Sequence, residues 1–415
     1  MALLRFRTGT RVAETVRTRA VVRMEEALPS DESAWIKLAL LSKGVTLDAG
    51  FTTWFRRKKA FVTRRNFYNT PVWSQVDSGA IPQEIRLGSV VVAVNVYGDS
   101  PWQLTVEGDE PMLYNTVHSL AFSISMLEDL AVLRENQDLA RVCNLYGGSA
   151  LSFFSPRACY FFSDSTECQF CSLAGTAQEQ HDFASRLEPD QVSAAVAKVL
   201  DSEADRINQI MIVGGNERDL DRGFDRQIEL VRAAHRELRS HQLDKVTSIH
   251  LATMPPRSLD LIDQLSEFEG MHVMFNLEVW REDLFSQIAP GKAKDYGRAS
   301  MLAALQRLRS AIGDYRAHSI LIAGLEPAEA TIEGAQALAD LGISPIINAY
   351  HSDRHSKIGL SLRPTYRELA IVAQGLQKIH AAHPIQPYWR GCGRNSIDFE
   401  ASLGQFRGDV PDWPA

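Results

Sequence analysis

Two regimes of hydrophobic patterning divide this chain. From residue 149 to about residue 380, short apolar runs at 150–154, 209–213, 248–252, 272–277, 317–323 and 344–349 alternate with segments of helical period at 189–200, 225–239, 258–268, 296–311, 328–341 and 365–380. Apolar runs of strand length, each followed by a helix-length segment, are the pattern of βα units on a parallel sheet. Six such units fall short of the roughly 250 residues of an eightfold barrel. The expected fold is therefore α/β: a partial (β/α)6 TIM-like barrel over 149–380, an N-terminal α+β cap over 1–148, and a C-terminal extension over 381–415 that closes the barrel.

The first 148 residues lack this alternation. They read as a strand over 15–21, a polar helix over 31–43, a basic aromatic stretch over 51–67, a strand over 89–96 and a helix over 115–135. No motif there points to chemistry.

In parallel α/β folds, ligands sit at the carboxyl ends of the strands. The unusual polar and glycine clusters obey that rule. A cysteine cluster follows the first strand, Gly214-Gly215-Asn216-Glu217 the second and Thr253-Met254-Pro255-Pro256 the third; Glu278 closes the fourth, Gly324-Leu325-Glu326 follows the fifth, and His351 to His355 the sixth.

Bulk properties narrow the function. A chain of 415 residues with 45% hydrophobic content can bury a large core. Its net charge of −7 carries no long basic run, which disfavours a nucleic-acid partner and favours a small-molecule substrate. No run of 18 apolar residues suggests a membrane span, and the start of the chain lacks the apolar block of a secretory signal, so a cytoplasmic location is expected. Five cysteines point to metal or redox chemistry rather than a disulfide framework.

Three of those cysteines cluster as Cys159-x8-Cys168-x2-Cys171. Thiolates are soft ligands for iron–sulfur clusters or zinc, and three of them can wrap one cubane while leaving its fourth iron without a protein ligand. A structural zinc site would need a fourth donor, such as Cys143 or a histidine, which makes a zinc-stabilised α/β-barrel binding or hydrolytic protein the alternative. Gly214 and Gly215 let backbone approach a ligand, or simply make a tight turn. Asn276 and Glu278 share one side of a strand, where inward polar groups are costly unless they bind a ligand or pair with an arginine. His351, Asp353 and His355 suit anion binding or proton transfer, and equally a solvated loop. Cys392 reads as a hydrogen donor, a ligand or an ordinary small core residue.

A three-cysteine loop after the first barrel strand, with the aromatic Phe170 just before the last cysteine, resembles the radical S-adenosylmethionine (SAM) superfamily; the later motifs resemble its biotin-synthase-like branch. The usual spacing there is three residues and then two, so the eight-residue gap is a departure. The resemblance implies a [4Fe–4S] cluster on Cys159, Cys168 and Cys171 that cleaves SAM reductively. It implies that Gly214 and Gly215, with Asn216 and Glu217 beside them, hold the methionyl ammonium group, that Asn276 and Glu278 contact ribose or carboxylate, and that Gly324 and Glu326 cradle the adenine. Hydrogen abstraction from a small organic substrate would follow, leading to rearrangement, fragmentation, insertion or methylation. An electron donor such as flavodoxin or ferredoxin is implied as well.

Overall fold

The computed structural model describes residues 22–24, 30–61, 81–179 and 183–413. Its centre is a seven-stranded sheet of β1 Cys143–Tyr146, β2 Ala150–Phe154, β3 Gln209–Val213, β4 Ser248–Ala252, β5 His272–Met274, β6 Ala317–Ala323 and β7 Ser344–Ala349. These strands lie side by side in chain order. Strands β2 to β7 are parallel, and β1 is antiparallel to β2. The strand order never reverses, unlike that of a doubly wound sheet, so right-handed crossovers collect the helices on one face. The strands are nonetheless buried along nearly their whole length, which is why they read as continuous apolar runs rather than alternating ones.

All six expected strands form, with the fourth shortened: β5 ends at Met274, and beyond it the chain bridges to β6 between Glu278 and Leu321. The expected helices also form, as Pro189–Glu203, Leu220–Ser240, Arg298–Ile312, Ala328–Asp340 and Tyr366–Ala382. The segment Leu259–Glu267 is 3-10 rather than α. Local chemistry sets their starts. Pro189 occupies the first turn of its helix, and Thr365 with Glu368 makes a reciprocal capping box.

The antiparallel strand β1 was not anticipated. It pairs with β2 across a tight turn in which Gly147 and Gly148 both have positive φ, so the boundary expected at 148/149 falls inside a hairpin of the large sheet.

The expected helix over 115–135 is a second correction. Trp102–Glu107, Glu110–Asn115 and Leu120–Ser123 form an antiparallel meander, and only the short helix Ala131–Glu135 follows. The Asn115 side chain accepts from the backbone N–H groups of Val117 and His118, both at 3.0 Å, and turns the chain back. The strand expected over 89–96 is Val90–Ala93. The helix Ser30–Lys43 was expected to be polar, yet it is buried from Ser33 to Ser42 between Val90–Ala93 and Tyr366–Ala382. Its Lys37 Nζ is satisfied by the Gly393 carbonyl and the Glu400 carboxylate, both at 2.7 Å. The strand expected over 15–21 and part of the basic stretch over 51–67 lie outside the described residues.

After Tyr366–Ala382 the chain touches both edges of the sheet. Ala349 N donates to Asn395 O at 2.9 Å and Ile397 N to Ile347 O at 3.0 Å on β7, while Trp389 stacks on Tyr146 of β1 at 5.1 Å. At the amino ends of the strands, His250, His272 and His318 form a buried ladder of rings covered by Tyr388.

Candidate active site

One cavity of about 270 Å³ is lined by residues of β1 and β3 to β7, by the cysteine loop after β2 and by the turns after β3, β4, β5 and β7. All three clustered cysteines face it. Cys159 precedes the short helix Tyr160–Ser163, which takes up half of the eight-residue gap. The Thr166 carbonyl accepts from Gly291 N at 2.9 Å, and the Gln169 N–H donates to the Ile288 carbonyl at 2.8 Å. A Cβ on Gly291 would lie 2.3 Å from the Phe161 ring, so glycine is what lets the loop dock there. Cys168 and Cys171 then sit in one turn, closed by Cys171 N donating to Cys168 O at 3.0 Å. The long spacing is thus a folded excursion that returns to the same cavity.

The wall beside Cys159 is the turn after β3. A Cβ on Gly214 would lie 2.1 Å from the Ser155 carbonyl oxygen, and one on Gly215 2.1 Å from that of Ala158. Both glycines are required by close backbone packing against the cysteine loop, and both line the cavity. Asn216 lines it as well; its Nδ2 lies 3.5 Å from Cys159 Sγ, and its carbonyl accepts from Tyr160 N at 2.9 Å.

Opposite stand Asn276 and Glu278. They reach the cavity by a route other than strand alternation: Glu278 has φ +73, beyond the end of β5. Its Oε1 accepts from Lys292 Nζ at 2.5 Å, and the same ammonium donates to Asn276 O at 2.9 Å. The partner is a lysine where an arginine was considered. Burial works against the Lys292 ammonium, but Glu278 and Cys168 beside it carry its pKa above the ordinary lysine value. Burial pushes the Cys168 thiol up to about 12 and raises Cys171 as well, with Lys292 opposing the shift at Cys168. Metal ligation would draw off those protons. Among the described residues no three His, Cys, Asp or Glu side chains converge closely enough to share a single metal ion.

Phe170 and His351 also line the cavity; the other expected residues stand back from it. Glu217 is engaged by Arg226 at 2.6 Å and Arg186 at 3.0 Å. Gly324 holds φ +98 against Pro364. Burial raises the Glu326 pKa, and its carboxylate accepts from the backbone N–H groups of Trp280 and Arg281 at 2.9 and 3.0 Å, fixing the loop after Glu278. Asp353 accepts from His355 N at 2.8 Å, and His355 lies 3.1 Å from Glu179. Cys392 is wholly buried behind Gly147, and burial lifts its thiol to about 12. Cys143 is buried with its thiol toward the Leu139 carbonyl.

Several lining residues escaped the sequence. Lys292 lies in a short helix, Pro290–Asp295, with no strand signal beside it. Tyr146, Trp389, Arg394 and Asn395 come from β1 and the last segment of the chain, and only tertiary packing brings them to the cavity.

No family model matches the chain. Over 226 residues it is 26% identical to bacteriochlorophyllide c C-7(1)-hydroxylase of Chlorobaculum limnaeum, an alignment that covers 54% of this chain and 54% of that one. The chain therefore spans about half the length of the curated relative it matches. Among solved structures it is similar to a radical SAM methyltransferase from Sphaerobacter thermophilus, at 17% identity and TM-score 0.41, covering 75% of this chain and 82% of that one. It is also similar to coproporphyrinogen III oxidase from Escherichia coli, a radical SAM enzyme, at 16% identity and TM-score 0.37, covering 59% and 55% of the two chains.

Proposed function

We propose that this chain is a radical SAM enzyme in which Cys159, Cys168 and Cys171 hold a [4Fe–4S] cluster within a partial (β/α)6 barrel. The observation that carries this reading is the facing of three thiols, the Gly214-Gly215 turn and the Lys292–Glu278 pair onto one cavity. Three thiolates suit a cubane, whose irons are ligated one by one, better than a closed four-donor zinc site. Cys143 and Cys392 are buried away from the cavity lining, so the donor set leaves one iron to an exogenous ligand. Bound and reduced, such a cluster supplies the electron that splits SAM into methionine and a 5′-deoxyadenosyl radical.

The chain's own residues then have distinct tasks. Gly214 and Gly215 open backbone to the methionyl end of SAM, and Asn216 orients the Cys159 sulfur. Asn276 and Glu278 accept hydrogen bonds from the ligand, while Lys292 holds Glu278 in place. Phe161, Phe162, Phe170 and Met254 exclude water, which protects a radical from side reactions. Glu217, Gly324 and Glu326 support SAM at one remove by fixing the loops around it. His351 faces the substrate, with Asp353 and His355 ordering its loop and Cys392 packing behind the cavity.

The substrate is a small organic molecule, and the electron comes from a flavodoxin- or ferredoxin-like donor in the cytoplasm. Among the described residues no helix is long and apolar enough to cross a membrane. The described residues before β1 act as a cap, and those described after residue 380 close the barrel between its two edge strands. Metal and product analysis of anaerobically purified protein tests this reading. Brown protein with about four irons per chain that releases 5′-deoxyadenosine on reduction supports it; colourless protein with one zinc refutes it.

A further inference from the structure

Every carboxylate, ammonium and guanidinium lining the cavity is already matched by an opposite charge. Glu278 is met by Lys292 at 2.5 Å, Arg394 by Glu84 at 2.8 Å, and Glu167 by Lys357 at 3.0 Å. No other Asp, Glu, Lys or Arg is among the described lining residues. The first two pairs are shut away from solvent, with side-chain exposures of 7 and 8% for Lys292 and Glu278 and of 1 and 0% for Arg394 and Glu84.

A substrate charge entering beside bound SAM loses its hydration and needs an opposite charge that is not already engaged. A substrate carboxylate that took Arg394 would strip Glu84 of its partner in the core, where no water replaces it. Glu278 stays paired with Lys292 and, on the reading above, faces SAM, so it is not available to a substrate ammonium. Neutral contacts remain. Met211, Met254, Ile320 and Ile322 give apolar walls, Tyr146 and Trp389 add aromatic surface, and Asn348 and Asn395 carry carboxamides. Methionine adapts to irregular apolar shapes.

We infer, resting on the reading above, that the part of the substrate enclosed by this cavity is uncharged and largely apolar and is oriented by neutral hydrogen bonds. Any charged group it bears stays outside, beyond the mouth. Glu84 is on this account a specificity residue: it faces Arg394 rather than the ligand, and it cancels the one guanidinium in the lining.

The test uses two probes of nearly equal shape, indole-3-carboxamide and indole-3-carboxylate. Each is titrated calorimetrically into the cluster-reconstituted protein in the presence of SAM, at a pH of about 8. The wild type should bind the carboxamide at least about tenfold more tightly. Glu84→Gln should narrow or reverse that preference, and adding Arg394→Met should restore it. Carboxylate binding to the wild type as tight as carboxamide binding, or binding of neither probe, overturns the inference. If Glu84→Gln does not fold, the wild-type comparison decides alone. Iron content and 5′-deoxyadenosine release, read on the same sample, report separately on the cluster.

Discussion

Asn216 Nδ2 lies 3.5 Å from Cys159 Sγ, joining the turn after β3 to the first cysteine of the cluster. Hydrogen bonds to ligating sulfurs stabilise the reduced, more negative state of an iron–sulfur centre. Asn216→Leu should therefore shift the cluster potential to more negative values while leaving iron content near wild type. Spectroelectrochemical titration reads the shift; an unchanged potential would remove Asn216 from this role.

Substituting the cysteines one at a time separates ligands from bystanders. Cys159→Ala, Cys168→Ala and Cys171→Ala should each lose most of the iron and all SAM cleavage, whereas Cys143→Ala and Cys392→Ala should keep both. Iron assay and product chromatography decide the matter. Loss of the cluster in Cys392→Ala would redraw the ligand set.

Breaking the buried Lys292–Glu278 pair from one side leaves a lone charge in the core. Lys292→Met or Glu278→Gln should cost about 3–5 kcal/mol of stability, and the double variant less than the sum of the two, since no buried charge is left unpaired. Denaturant melts of the three proteins measure the coupling. Strict additivity would show that the contact is energetically empty.

Gly215→Ala places a methyl where the Ala158 carbonyl already stands, 2.1 Å away. The neighbour is backbone and cannot swing aside, so the cysteine loop must move. Overpacking of this kind costs about 1–3 kcal/mol, and iron retention should fall along with stability. A variant that melts and loads like wild type would mean the loop gives freely.

Burial and the nearby Arg390 and Arg316 hold the His272 imidazole down at about 3, against an ordinary value near 6.5. Between those two pH values the unfolded chain takes up a proton that the folded chain refuses, so stability is present above about pH 6.5 and drains away as pH falls towards 3. The slope from this one group approaches roughly 1.4 kcal/mol per pH unit. His272→Gln should flatten the acid limb of a stability–pH curve; an unaltered limb would assign acid sensitivity to other groups.

The apolar runs and helical segments after residue 149 determined six parallel strands and their order, because a strand buried on both faces leaves an unbroken hydrophobic signature. They also pointed to the candidate site: the cysteines, Gly214, Gly215 and Glu278 all come after strand ends, where loops of a parallel sheet converge. Side-chain direction was another matter. Glu217 and Glu326 follow their strands as closely as Asn216 and Glu278 do, yet arginines engage one and backbone amides the other, and sequence spacing carries no record of that choice. Lys292, Arg394 and Trp389 reach the cavity only because distant segments pack against it, and the short strand β1 and the meander around Asn115 depend on partners that local propensity does not name. Periodicity reports which face of an element is apolar; which buried charge meets which is settled by the desolvation that each would otherwise suffer, and that balance exists only in the folded chain.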